Sequence, residues 1–105
     1  MAEPAATIRL DKWLWQARFC KSRSLAAGMV AAGAVRVNAT RVTKPATPLR
    51  IGDGLSFVQG GQVRVLRVRD LGLRRGPAAE ARLLYTDLEP AGAAEPLDPG
   101  SEIVK

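Results

Sequence analysis

Between Arg9 and Lys44 the chain carries eight arginines and lysines and a single carboxylate, Asp11. The cations are Arg9, Lys12, Arg18, Lys21, Arg23, Arg36, Arg41 and Lys44. Side chains of this type at this density bind phosphates: arginine offers a planar fork of donors and lysine a compact point charge. The chemistry they suggest is polyanion recognition, not catalysis. The chain has no histidine, which removes the commonest general acid/base and metal ligand. Asp11, Asp53 and Asp70 are too widely spaced to read as a carboxylate pair, and no glycine loop leads into a lysine and a hydroxyl. One cysteine, Cys20, excludes an internal disulfide and a multi-cysteine zinc site. It reads as a small, semi-buried apolar residue. The expectation is therefore no catalytic residue, no metal, no cofactor and no small-molecule substrate.

Charge is distributed unevenly along the 105 residues. Residues 1–75 hold 14 Lys+Arg against 4 Asp+Glu, a balance of +10. Residues 76–105 hold 2 against 6, a balance of −4. A basic face with an acidic appendage follows, and the appendage is a candidate competitor for that face. A hydrophobic fraction of 47% supports one small core. No stretch is long and apolar enough to span a bilayer, and the N-terminus lacks the pattern of a secretory signal. The reading is a cytoplasmic monomer.

The elements that must position these cations follow from spacing. Leu10, Trp13, Leu14 and Ala17 fall at i, i+3, i+4 and i+7, which predicts a helix, with Asp11 as a cap or a first-turn acid. The run Lys21-Ser22-Arg23-Ser24 breaks the pattern and supplies a serine N-cap for a second helix. That helix is expected to bury Leu25, Ala26, Met29 and Val30 and to end at Gly33 in a left-handed conformation. A strand, a turn at Asn38-Ala39 and a return strand occupy residues 34–42. Pro45 and Pro48 keep residues 44–50 out of a central strand. Leu55–Gln59 and Gln62–Arg69 form a hairpin about Gly60-Gly61, with alternation that slips near Val65-Leu66 and predicts a bulge or strong twist there. Leu71–Pro77 is a basic loop. Residues 80–88 fit either a strand or a short helix.

The cations at the break, Arg18, Lys21 and Arg23, converge with the free N–H groups at the start of the second helix, a favourable place for phosphate. Arg36 projects from the hairpin opposite Val35 and Val37, and Asn38 sits at the turn. Lys12, Trp15 and Phe19 lie about 140–200° from the apolar stripe on a helical wheel, at roughly 100° per residue. Trp15 and Phe19 are four apart and able to touch, and either stack on bases or are covered by later strands, with core the favoured reading. Arg64, Arg67, Arg69, Arg74 and Arg75 are secondary surface.

Three runs resemble a known family: Arg9-Leu10-Asp11-Lys12-Trp13-Leu14-Trp15, Arg18 through Ala26, and Gly33-Ala34-Val35-Arg36-Val37-Asn38. They are similar to the RNA-binding domain named after ribosomal protein S-four. The tryptophan-rich opening, Arg74-Arg75-Gly76-Pro77-Ala78 and Leu84-Tyr85 resemble, more narrowly, the bacterial heat-shock protein fifteen family. The resemblance implies an α+β fold, the αL RNA-binding motif, with two helices packed on a small, mainly antiparallel twisted sheet. It covers the RNA-binding domain over 8–88, with its core motif over 8–55, while composition alone gives a disordered leader over 1–7 and an acidic, disordered tail over 89–105. It also implies binding to ribosomal RNA on a large ribosomal subunit still carrying peptidyl-tRNA, so that stalled subunits are recycled during stress.

Carried over position by position, the RNA-facing residues are Arg9, Lys12, Arg18, Lys21, Ser22, Arg23, Arg36 and Asn38, with Arg41 and Lys44 added from the charge pattern. Asn38-Ala39 stands where the family has Asn-Gly, and the family's long basic helical extension is replaced here by acidic residues. Two other roles fit the basic face: an accessory factor in RNA modification or tRNA metabolism, and a module that binds an acidic protein.

Overall fold

The computed structural model describes residues 6–89. The elements run β1 (Ile8–Arg9), α1 (Leu10–Gln16), α2 (Arg23–Ala31), β2 (Val35–Val37), β3 (Thr40–Val42), β4 (Pro48–Leu49), β5 (Gly54–Gln59), β6 (Gln62–Val68), α3 (Ala78–Ala81), a 3₁₀ turn (Arg82–Leu84) and β7 (Tyr85–Glu89). The main sheet is antiparallel in the order β3-β2-β5-β6-β7, while β1 and β4 form a separate two-stranded ribbon. This is the expected α+β arrangement of two helices on a small antiparallel sheet. The segment that fitted either element holds both: α3 and the 3₁₀ turn precede β7. The expected leader lies almost wholly outside the described residues, as does the expected tail beyond Glu89.

Helix α1 buries the stripe its spacing predicts: Leu10, Trp13, Leu14 and Ala17 are all buried. Its first N–H groups have no helical partner and are taken by the 45–47 loop, Leu10 N–H donating to the Thr47 carbonyl at 2.9 Å and Asp11 N–H to Pro45 at 3.1 Å. The helix stops at Gln16, because Arg18 turns into the left-handed region (φ 67°). That turn overrides the wheel placement of Phe19. Its ring leaves the Trp15 side and packs with Trp13, Phe57 and Tyr85, at centroid distances of 6.0, 5.1 and 4.8 Å. Phe19 is thus core-packed, as favoured, through a route that helical spacing does not describe.

Ser22 caps α2, its hydroxyl oxygen accepting from Leu25 N–H at 3.1 Å. Gly33 ends the helix at φ +77°. The buried face centres on Ala26 and Val30, four residues apart. Leu25 lies about 100° from Ala26 around the helix and is 59% exposed, which corrects the expectation that it is buried.

In the β2–β3 hairpin both Asn38 (φ 51°) and Ala39 (φ 71°) are left-handed, the geometry whose twist matches the flanking strands. The β5–β6 register is continuous from Gly54↔Arg67 to Gln59↔Gln62. The expected irregularity is present at Val65/Leu66, but it lies in the pairing with β7, where these two residues face Glu89 and Asp87. Strand β6 therefore keeps one alternation throughout. Leu66 and Val68 point to the core and Val63, exposed, to the open face. Arg64 shares the core-side parity. It is no surface residue: it lies 5.3 Å over the Phe19 ring and pairs with Asp87 at 2.8 Å.

Candidate RNA interface

Asp11 sits at the centre of the N-terminal cations. Its carboxylate accepts Arg9 Nε at 3.1 Å and Arg9 Nη2 at 3.0 Å, a two-point fork, and also the Lys12 backbone N–H at 2.8 Å. Arg23 Nη2, from the first residue of α2, stands 3.6 Å from the same carboxylate. The Asp11 side chain is 5% exposed, against 52% for Arg9 and 44% for Arg23. Burial alone would raise the Asp11 carboxyl. The Arg9 hydrogen bond and charge, the Lys12 N–H and the Arg23 charge outweigh it and hold the group below the ordinary carboxylate range. One buried anion thus sets two guanidiniums side by side at the surface. Arg9 commits its Nε and Nη2 to Asp11 and keeps Nη1, while Arg23 is held by charge alone, so both guanidiniums retain donors for an external phosphate.

Around this platform Lys12 is half-buried, while Lys21 and Lys44 are exposed. Lys44 is brought near the start of α1 by its loop, whose Pro45 carbonyl receives the Asp11 N–H and whose Thr47 hydroxyl closes onto the Lys44 carbonyl at 2.6 Å. The Ser22 oxygen is occupied as a cap, but its O–H proton is still free to donate.

Arg36 and Arg41 form a second group. They are directly opposed in the β2–β3 ladder, on the sheet face away from Val35 and the core. Like charges in that position repel, and a bound anion relieves the repulsion. They border an open cavity of about 340 Å³ whose far wall includes Val58 and Val63. Asn38, expected at the turn among the RNA-facing residues, is exposed there with its amide engaged within the fold. Its amide nitrogen donates to Asp53 Oδ1 at 3.1 Å and its Oδ1 accepts from Gly54 N–H at 2.8 Å. Both ends of the amide clamp the hairpin to the start of β5.

Arg18 stands apart from both groups. It is exposed, and its Nε donates to the Gly76 carbonyl at 2.6 Å, which ties the helix break to the basic loop. From that loop Arg75 lies 5.7 Å over the Trp15 ring and donates to the Trp15 carbonyl at 3.0 Å. Trp15 is therefore half-buried beneath an arginine, and not beneath a strand. Cys20 is half-buried and burial pushes its thiol up, consistent with an inert side chain. Among the described residues there is no cluster of three or more potential metal ligands, and no helix is long and apolar enough to cross a membrane.

Asp11 is the first-turn acid that was one of its two expected roles, not the cap, but sequence reasoning missed its part in holding Arg9 and Arg23. The available signal was a lone acid set within eight cations. It also missed Gln16, buried and donating to the Leu71 carbonyl at 3.0 Å, for which spacing carries no signal.

Residues 8–55, which hold the Asp11 platform and the hairpin, match the family model described as the S4 domain. Heat shock protein 15 of Escherichia coli strain K12 is 42% identical over 85 residues, 81% of this chain and 63% of that protein. The heat shock protein 15 homolog of Aeromonas salmonicida is 41% identical over 88 residues, 84% of this chain and 66% of the relative. A solved structure described as trimeric, that of Vibrio cholerae heat shock protein 15, superposes with a TM-score of 0.74 at 40% identity, covering 78% of this chain and 82% of the other. The fold is that of an S4 domain protein. Within that class, the chain belongs to the heat shock protein 15 family. It spans 63% of the length of the Escherichia coli relative it matches.

Proposed function

We propose that this protein is a non-catalytic factor that binds ribosomal RNA of the large ribosomal subunit in the cytoplasm and takes part in recycling stalled subunits that carry peptidyl-tRNA during stress. Residues 8–88 act as the RNA-binding domain. The observation that carries the reading is the Asp11-held pair of Arg9 and Arg23, two cations fixed at the surface beside the start of α2. Lys12, Lys21, Ser22 and Lys44 extend that surface, Arg18 continues it past the helix break, and Arg36 and Arg41 contact phosphate from the hairpin. Asn38 contributes by holding the hairpin in place. In this reading the protein works as a monomer, which sedimentation velocity distinguishes from the trimeric form in which the Vibrio relative is described.

The test is the salt dependence of binding to large-subunit RNA. With about 5–8 phosphates engaged, the log–log slope is expected near −4 to −6, on a single-strand factor of roughly 0.7 per phosphate. Arg23→Ala and Lys21→Ala each reduce its magnitude by about one unit. Binding that barely changes between low and high salt overturns the proposal.

A further inference from the structure

Beyond the S4 motif, the second half of the chain folds back on the α1–α2 break and encloses a cleft of about 180 Å³. Arg18 stands on one wall, Arg64 and Gln59 from the β5–β6 hairpin on another, and Arg82 on a third. Ala78, at the start of α3, borders the opening. Three guanidiniums line this space and no carboxylate does. Arg64 is held by Asp87 at 2.8 Å and by Gln59 Oε1 at 2.9 Å, and Asp87 is not among the residues that line the cleft. Arg18 and Arg82 have no carboxylate within ion-pair distance among the described residues.

Two unpaired cations facing one small polar space repel each other unless an anion lies between them. The geometry of Arg18 is also set in advance. Its Nε is held by the Gly76 carbonyl, which leaves both terminal nitrogens to reach a ligand. A space of about 180 Å³ is below the range of ordinary small-molecule pockets. It accommodates a single phosphate group.

We infer that the Arg18–Arg82 cleft is a second phosphate site, which takes a phosphodiester of the bound RNA as the strand passes the helix break. This rests on the RNA-binding reading above, and it adds a contact from outside residues 8–55. From Arg9 to the end of α1 is about 10 Å at 1.5 Å rise per residue, so the cleft is a separate contact from the Asp11 platform. The residue specific to it is Arg82, which is exposed and lies in a 3₁₀ turn.

The experiment compares the full chain with Arg82→Ala, Arg82→Lys and Ala78→Asp, with Arg23→Ala as the reference for the platform. Large-subunit RNA is titrated at several salt concentrations, and circular dichroism melts confirm that each variant is folded. Arg82→Ala is expected to weaken binding about 3- to 10-fold and to lower the salt slope by about 0.7–0.9. Arg82→Lys restores most of the affinity, and Ala78→Asp, which places a carboxylate in the opening, weakens binding at least as much as Arg82→Ala.

In a separate arm inorganic phosphate is titrated into the RNA-free protein and followed by amide shifts. Shifts at residues 78–82 that vanish in Arg82→Ala support a phosphate site independently of RNA. If those shifts occur while Arg82→Ala and Ala78→Asp bind RNA like the parent, the cleft serves free phosphate and the RNA assignment is overturned. No shift and no change in RNA binding overturns the site altogether. Failure of the parent chain to bind RNA, with the phosphate shifts intact, overturns the RNA reading alone and leaves the cleft supported.

Discussion

Residues 8–55 and residues 59–89 are both rich in arginine, yet they use it differently. In the first region Arg9 and Arg23 share one buried carboxylate and keep about half their surface in water, and Arg36 and Arg41 oppose each other on the open sheet face. In the second, Arg64 pairs with Asp87, Arg67 donates to the Gly52 carbonyl at 3.0 Å, Arg74 pairs with Glu80 and Arg75 covers Trp15. Those four arginines serve the fold. Net charge already separates the regions, +7 over residues 8–55 against +2 over residues 59–89, and the partners of each arginine show why. Arg69 and Arg82, both exposed and in no ion pair among the described residues, are the exceptions in the second region, and Arg82 is the informative one because it lines a cleft.

The division is open to attack at the point where the regions meet. Trp13 packs in the first region's helix, while its indole N–H donates to the Asp70 carbonyl at 2.9 Å and its ring meets Tyr85 edge-on at 6.4 Å. Trp13→Ala is expected to cost about 3–5 kcal/mol and to lower the melting temperature of the whole domain in one transition, read by circular dichroism. A surviving folded 8–55 unit would show the regions to be independent.

Asp11→Ala is the next largest, about 1–3 kcal/mol, because a buried hub of hydrogen bonds is lost. The same group sets a pH dependence. Its folded pKa lies below its unfolded value, so the folded state binds fewer protons in that window. The stability it contributes is complete above the unfolded value, near 4, and is lost as pH falls through the folded one. Urea titrations at pH 7 and pH 3 should therefore differ more for the parent than for Asp11→Asn.

The smallest effect sharpens the contrast most. Arg75→Ala is expected to lower stability by about 1 kcal/mol through the exposed Trp15 face and to leave the RNA salt slope unchanged. Arg23→Ala should do the reverse, with stability within about 0.5 kcal/mol of the parent. Equal loss of RNA affinity in both variants would erase the distinction between the regions.

Local chemistry made much of the first region legible in sequence. The α1 stripe, the Ser22 cap, Gly33 and the Asn38-Ala39 turn each rest on a residue's own conformational preference or on short-range spacing. The errors came where a distant segment decided. Phe19 is the local exception: it leaves its wheel position because Arg18, next to it, adopts a left-handed backbone without the glycine that usually signals one. Arg64 looked like surface because its partners, Asp87 and the Phe19 ring, are 23 and 45 positions away in sequence. The clustering of Arg9, Asp11 and Arg23 was legible as charge but not as geometry, since it needs α2 to return across the start of α1. The cleft at Arg82 was invisible for the same reason.

The placement of the two tryptophans has an optical consequence. Trp13 is wholly buried with its N–H engaged, whereas Trp15 is half-buried under Arg75 beside the cationic helix surface. The chain therefore carries two built-in fluorophores in unlike surroundings. With Trp15→Phe the remaining emission follows unfolding of the core, and with Trp13→Phe it follows events at the surface, so folding and ligand encounter become separable without an attached dye.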